Sequence, residues 1–188
     1  MEKFVLFALM CLSLSLISCD KIKDATSKDF KVNDVSFDFT AVCTEGTTTK
    51  SAEAVALRAA ATQSFTVTRA VNISELGSDV IDYAGKIKKV SVENSLISVT
   101  ANPAGAYTIE NLTVKATGVS GSIEIPSFTI GNPFPLTSGM NVYTISFINQ
   151  LISINSVSVT VTGMTDAPAG TTLNISYKSD LIMTASVL

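Results

Sequence analysis

The chain has 188 residues, a formal net charge of −3 and no histidine. Without histidine there can be no serine–histidine or cysteine–histidine nucleophile system and no histidine-based zinc or iron site. The mild negative charge, with no basic cluster of the size that phosphate backbones require, excludes nucleic acid as a partner.

Residues 4–16 form an unbroken run of apolar and small side chains behind a short polar start, Met1-Glu2-Lys3. That run falls short of the about 20 residues a membrane-spanning helix needs, and it fits the hydrophobic region of a signal peptide. Leu16, Ile17, Ser18 and Cys19 close it. These four residues resemble the lipobox of bacterial lipoprotein signal peptides: an aliphatic residue, two small or aliphatic residues, then an obligatory cysteine. The resemblance implies that residues 1–18 are a signal peptide and that Cys19 becomes the first residue, joined through its thiol to diacylglycerol. It also implies a bacterial cell envelope; Asp20 directly after the cysteine resembles an inner-membrane retention mark of some bacterial groups, other groups use acidic tethers for surface export, and the outer membrane or cell surface is the expected place. Several acyl chains, at about 0.8 kcal/mol per buried methylene, would make the attachment essentially permanent. Of the three cysteines, Cys11 falls in the signal and Cys19 is the lipidation site, which leaves only Cys43. No disulfide can then form within the mature chain, and Cys43 reads as a small buried apolar residue.

In residues 20–34, eight of fifteen side chains are charged, with both signs mixed. Residues 19–34 therefore read as a lipid-anchored, solvated tether that lets the domain stand off the membrane. From residue 35 onward charge thins and serine and threonine become frequent, which marks residues 35–188 as a single domain of strands with one wet face. Val35, Phe37 and Phe39 alternate with polar residues and predict a first strand over 35–42. Residues 51–62 suit a helix through their alanines or a strand through Val55 and Leu57. Phe65, Val67 and Val71 predict the next strand. Leu76, Val80, Tyr83 and Ile87 form one helical stripe, so a helix is expected from 74 or 78 to 89, with Ser78 as its cap. Lys86, Lys88 and Lys89 would then complement the C-terminal dipole; a lipid-headgroup patch is the other reading of these lysines.

Val90 and Val92 share one face while Ile97 and Val99 take the opposite parity, which places a bulge near Asn94-Ser95. Asn102-Pro103-Ala104-Gly105 has turn chemistry and predicts a hairpin with residues 107–117. Ile123 and Ile125, then Phe128 and Ile130, bracket Pro126, which belongs at an edge or bulge. Residues 131–139 read as a long loop with two exposed-looking apolar residues, Phe134 and Leu136. This is the candidate partner-binding loop, and covering the end of the core is its alternative role. A short second helix is expected over 142–154. Val157, Val159 and Val161 give another strand, and the odd-numbered face from Leu173 through Val187 gives a final one, expected to be central. The sum is a mainly β fold, an antiparallel β-sandwich of about eight strands with one or two short helices.

Three stretches, Val71-Asn72-Ile73-Ser74-Glu75-Leu76, Lys86-Ile87-Lys88-Lys89 and Gly163-Met164-Thr165-Asp166-Ala167-Pro168-Ala169-Gly170, resemble uncharacterised β-sandwich lipoproteins of gut-type anaerobic bacteria. The likeness covers roughly residues 64–188 and brings no known active residues with it. The carboxylates add none. Asp79 and Asp82 share a helix face, Glu110 and Glu124 could face each other across a sheet, and Asp166 lies in a turn. Each reads better as a surface or turn residue than as half of a catalytic pair or a calcium ligand. No catalytic group, metal or cofactor is therefore expected. The expected role is a noncatalytic cell-envelope lipoprotein, a binding or assembly module held on a membrane by acyl chains on Cys19, with a protein or apolar ligand as partner. The alternative is a carrier of a lipid or other apolar ligand, which requires a cavity of about 300–1,000 Å³ between the sheets.

Overall fold

The structure is a computed structural model that describes residues 27–45 and 62–186. The signal peptide, Cys19 and the ambiguous segment 51–61 lie outside the described residues. Among the described residues, ten strands occupy β1 (Ser27–Val42), β2 (Thr44–Glu45), β3 (Gln63–Asn72), β4 (Ile87–Asn102), β5 (Thr108–Ala116), β6 (Ile123–Ile125), β7 (Phe128–Thr129), β8 (Phe134–Pro135), β9 (Ser156–Thr165) and β10 (Thr172–Ser186). They form two sheets, in the orders β1-β10-β4-β8 and β2-β3-β9-β5-β6, with β7 also on β5. Every pairing is antiparallel. The fold is the mainly β sandwich that the alternation predicts. In β9, Val157, Val159 and Val161 turn inward, while Thr160 and Thr162 stand opposite Thr68 and Thr66 on the outer face. The last strand, β10, lies between β1 and β4, as its regularity predicts.

Several boundaries differ from expectation, and the hairpin expected across residues 102–105 does not form, because β4 and β5 belong to different sheets. β1 begins at Ser27 and pairs with β10 from there, so residues 27–34 are strand and the domain starts earlier than residue 35. The part of that charge within the described residues belongs to an edge strand, where Lys28, Asp29 and Lys31 are exposed and half-buried Phe30 and Val32 pack against the core. Charged side chains along an edge also discourage pairing with other chains.

The expected long helix shrinks to α1 (Ser78–Tyr83), flanked by 3₁₀ turns at Ile73–Leu76 and Ala84–Lys86. Gly77, at φ 102°, occupies the N-cap position expected for Ser78. Leu76 and Val80 are buried as the stripe predicts. Beyond Lys86, however, the backbone enters β4, where Lys89 pairs with Thr184. The alternation of Val90 and Val92 and the pairing available on β10 outweigh helix propensity there. Lys88 and Lys89 are strand residues, so a helix dipole does not account for them.

The second helix, α2 (Ser138–Ile154), is longer than expected. The Thr137 hydroxyl accepts a hydrogen bond from the Met140 N–H at 3.4 Å, and Asn155, left-handed at φ 65°, ends the helix. α2 packs against β4 and β9 and buries Tyr143, Phe147, Ile148 and Leu151. The Tyr143 hydroxyl accepts the Ala116 N–H at 2.6 Å, tying the helix to β5. Where β1 and β3 face each other across the two sheets, Arg69 lies 4.8 Å from the Phe39 ring. Its guanidinium meets Glu75 in a two-point contact, at 3.1 and 2.9 Å. A bidentate pair of this kind fixes orientation as well as adding energy.

Candidate functional site

The most elaborate polar arrangement on the surface is centred on Asp180 in β10. Both neighbouring strands lose register beside it. On β1 the break falls between Val32 and Val35, and on β4 two residues, Asn94 and Ser95, span the step between Glu93 and Leu96. Asp34 and Asn94 take left-handed backbones, φ 55° and 51°, a conformation that Asp and Asn tolerate better than most residues. Asp180 Oδ1 accepts the Asp34 N–H at 3.1 Å, and Oδ2 accepts Asn94 Nδ2 at 2.8 Å. Lys31 Nζ lies 3.1 Å from Oδ2 and 3.7 Å from Glu93. The Asn94 hydrogen bond, then the Asp34 N–H and Lys31, hold the Asp180 carboxyl below its ordinary range. Asp180 is thus a fixed anion bracing two bulges, poorly suited to give up a proton as a general acid. The bulge at Asn94-Ser95 is where the parity change places it.

A pH dependence follows. A carboxyl whose folded pKa is depressed contributes stability above its unfolded pKa and loses it as pH falls through the folded value. Asp180→Asn should therefore destabilise the protein at neutral pH. Its deficit against wild type should shrink as pH drops below the ordinary value near 3.8. Urea midpoints measured across that range test this, and a pH-independent deficit would contradict it.

On the inner side of the same bulges, Ser95 and Ser179 are buried together with Tyr177. Burial pushes the Tyr177 phenol up, opposed by the hydroxyls of Ser179, Ser95 and Thr144. The Thr144 hydroxyl donates to the Met140 carbonyl at 3.3 Å. This cluster borders a cavity of about 40 Å³ between the sheets, lined by apolar side chains such as Phe37, Phe39, Phe147 and Val161. A drug-sized ligand needs about 300–1,000 Å³. Among the described residues, this cavity is far smaller than the carrier reading requires. The space it requires is filled by α2 and by an aromatic cluster in which Phe37 meets Phe147 edge-on at 5.6 Å and stacks on Tyr177 at 5.7 Å.

Phe134 and Leu136, expected to be exposed in the candidate partner-binding loop, are more buried than expected. Phe134 and Pro135 form β8 and pair with Ile97 and Leu96 of β4. The Leu136 N–H donates to the Ser95 carbonyl at 2.9 Å, and its side chain is only 9% exposed. Phe134 is half-buried, 5.7 Å from the Phe128 ring. These apolar residues cover the sheet edge and the core beneath it. Glu110 and Glu124 do not face each other. Glu124 stands opposite Thr113 rather than Glu110, Glu110 accepts from the Thr62 hydroxyl at 3.1 Å, and Asp79 and Asp82 are exposed on α1. Asp166 Oδ1 accepts the Thr108 N–H at 2.7 Å, which fixes the start of β5. Cys43 is buried, and burial pushes its thiol up. Among the described residues, no group of three or more Cys, Asp or Glu side chains is placed to hold a metal ion.

No protein-family model matches the chain, and no curated protein matches it. Among solved structures, TmCBM61 in complex with β-1,4-galactotriose is similar over 85% of this chain and 88% of that one, at 7% identity. The TM-score is 0.28, too low for the likeness to bear on function.

Proposed function

We propose that this protein is a noncatalytic bacterial cell-envelope lipoprotein, held at the outer membrane or cell surface by acyl chains on Cys19, whose β-sandwich serves as a binding or assembly module. The observation that carries the reading is the run over residues 4–16 that ends in Leu16-Ile17-Ser18-Cys19. The noncatalytic part is supported by the chemistry of the described polar groups. The carboxylate with the strongest set of partners, Asp180, is locked as an anion by Asn94, Asp34 and Lys31. The buried Tyr177 phenol is met by the hydroxyls of Ser179, Ser95 and Thr144, whereas activating a nucleophile calls for an adjacent base. Mass spectrometry of the mature protein from a bacterial host tests the anchor. The expected N-terminal residue is Cys19 carrying diacylglycerol, and an unmodified Cys19 or cleavage elsewhere would refute it.

A further inference from the structure

We propose that the end of the sandwich carrying Lys28, Lys86, Lys88 and Lys89 rests on the anionic surface of the membrane that holds the anchor. The inference depends on lipidation at Cys19 as proposed above. β1 begins at Ser27, eight residues after Cys19. Eight residues span at most about 29 Å fully extended. β1 itself, at 16 residues, runs about 53 Å at 3.3 Å per residue. A link that short keeps the Ser27 end of the strand within about 29 Å of the surface.

The tethered end is where the exposed lysines gather. Ser27 pairs with Ser186, and the next row across the sheet is Lys28, Ala185 and Ile87. The row after that is Asp29, Thr184 and Lys89, with Lys86 and Lys88 to either side of Ile87. All four lysines are exposed. With Lys88 and Lys89 in a strand, the helix terminus that would have explained them is gone. The surroundings suit a headgroup boundary. Lys28 Nζ lies 5.3 Å from the Tyr83 ring, Tyr83 packs on Phe30 at 5.5 Å, and Ile81 beside them is 48% exposed. Half-buried aromatics next to long basic side chains place apolar bodies and cationic tips at the depth where each is favourable.

Asp29, Asp79 and Asp82 are exposed nearby, so the excess of positive charge is small and the attraction short-ranged. Tethering compensates, because a linked surface meets the membrane at high effective concentration and needs little affinity of its own.

The test uses the full processed chain in phosphatidylcholine vesicles with and without phosphatidylglycerol. Lysines are labelled with an amine-reactive reagent and read by mass spectrometry. On anionic vesicles Lys28, Lys86, Lys88 and Lys89 should label about fivefold more slowly, as expected for lysines held at a charged surface. High salt should abolish the difference. Lys115 and Lys178, exposed elsewhere on the sheets, should label alike on both. The triple variant Lys86→Gln, Lys88→Gln, Lys89→Gln should restore fast labelling at Lys28. Equal labelling of the four lysines on both vesicles, in a chain whose N-terminal mass proves lipidation, would overturn the surface proposal alone. An unlipidated N-terminus would overturn the anchor reading and this proposal with it.

Discussion

Replacing Phe37 with alanine is expected to lower stability by about 3–5 kcal/mol, the range for removing a large aromatic from a packed core. Phe37 is 3% exposed and belongs to β1, yet its ring contacts Phe147 on α2 and Tyr177 on β10. One side chain thus joins the edge strand, the central strand and the helix between the sheets. It also lines the cavity of about 40 Å³, so truncation adds its own volume to an existing void instead of opening an isolated one. Urea unfolding of wild type and variant measures the loss. The same variant gives the carrier question a sharper form. An apolar cavity of about 150 Å³ stays dry and takes up benzene. Benzene should therefore raise the melting temperature of Phe37→Ala and leave wild type unchanged. A comparable rise in wild type would support the ligand-carrier reading.

The strands were legible because burying one face of a sheet imposes a period of two. β10 keeps a single parity from Leu173 through Ala185, and it proves to be the strand on which both neighbours register. The bulge in β4 shows as a parity flip between Val92 and Ile97. β1 carries the same signal, since Phe30 and Val32 are even while Val35, Phe37 and Phe39 are odd. The surrounding charges conceal it, because local composition there resembles a solvated linker. Only the structure shows that the two flips lie on either side of Asp180 and share its carboxylate. The α1 region misled for the opposite reason. Leu76, Val80, Tyr83 and Ile87 keep helical spacing across a boundary that Gly77 and the pairing of β4 with β10 impose. Phe134 and Leu136 looked exposed because a loop rich in Pro and Gly gives no hint of the sheet edge it covers. The lipobox is a different kind of signal. It is read as a linear motif and would be equally legible on any fold.

Gly163→Ala should destabilise the protein by about 3 kcal/mol, at the upper end of what overpacking a core costs. For a chain of this size that corresponds to a drop of about 6–12 °C in melting temperature. Gly163 sits within β9, directly between Phe65 of β3 and Leu112 of β5. A Cβ there would collide with the Phe65 ring and come within 2.5 Å of the Asn111 carbonyl oxygen. The two obstacles differ in kind. The Phe65 ring is 1% exposed and could be traded for a smaller side chain. The Asn111 carbonyl is backbone, next to the register shift between Ile109 and Asn111, and can retreat only by deforming β5. A double-mutant cycle separates them. If the ring is the main obstacle, Gly163→Ala with Phe65→Leu should be nearly as stable as Phe65→Leu alone. If the carbonyl dominates, the two losses should add. The geometry predicts an intermediate result, with part of the loss recovered, because both contacts lie below any ordinary Cβ approach. Full additivity would show that the close packing of Phe65 over Gly163 does not restrict this position.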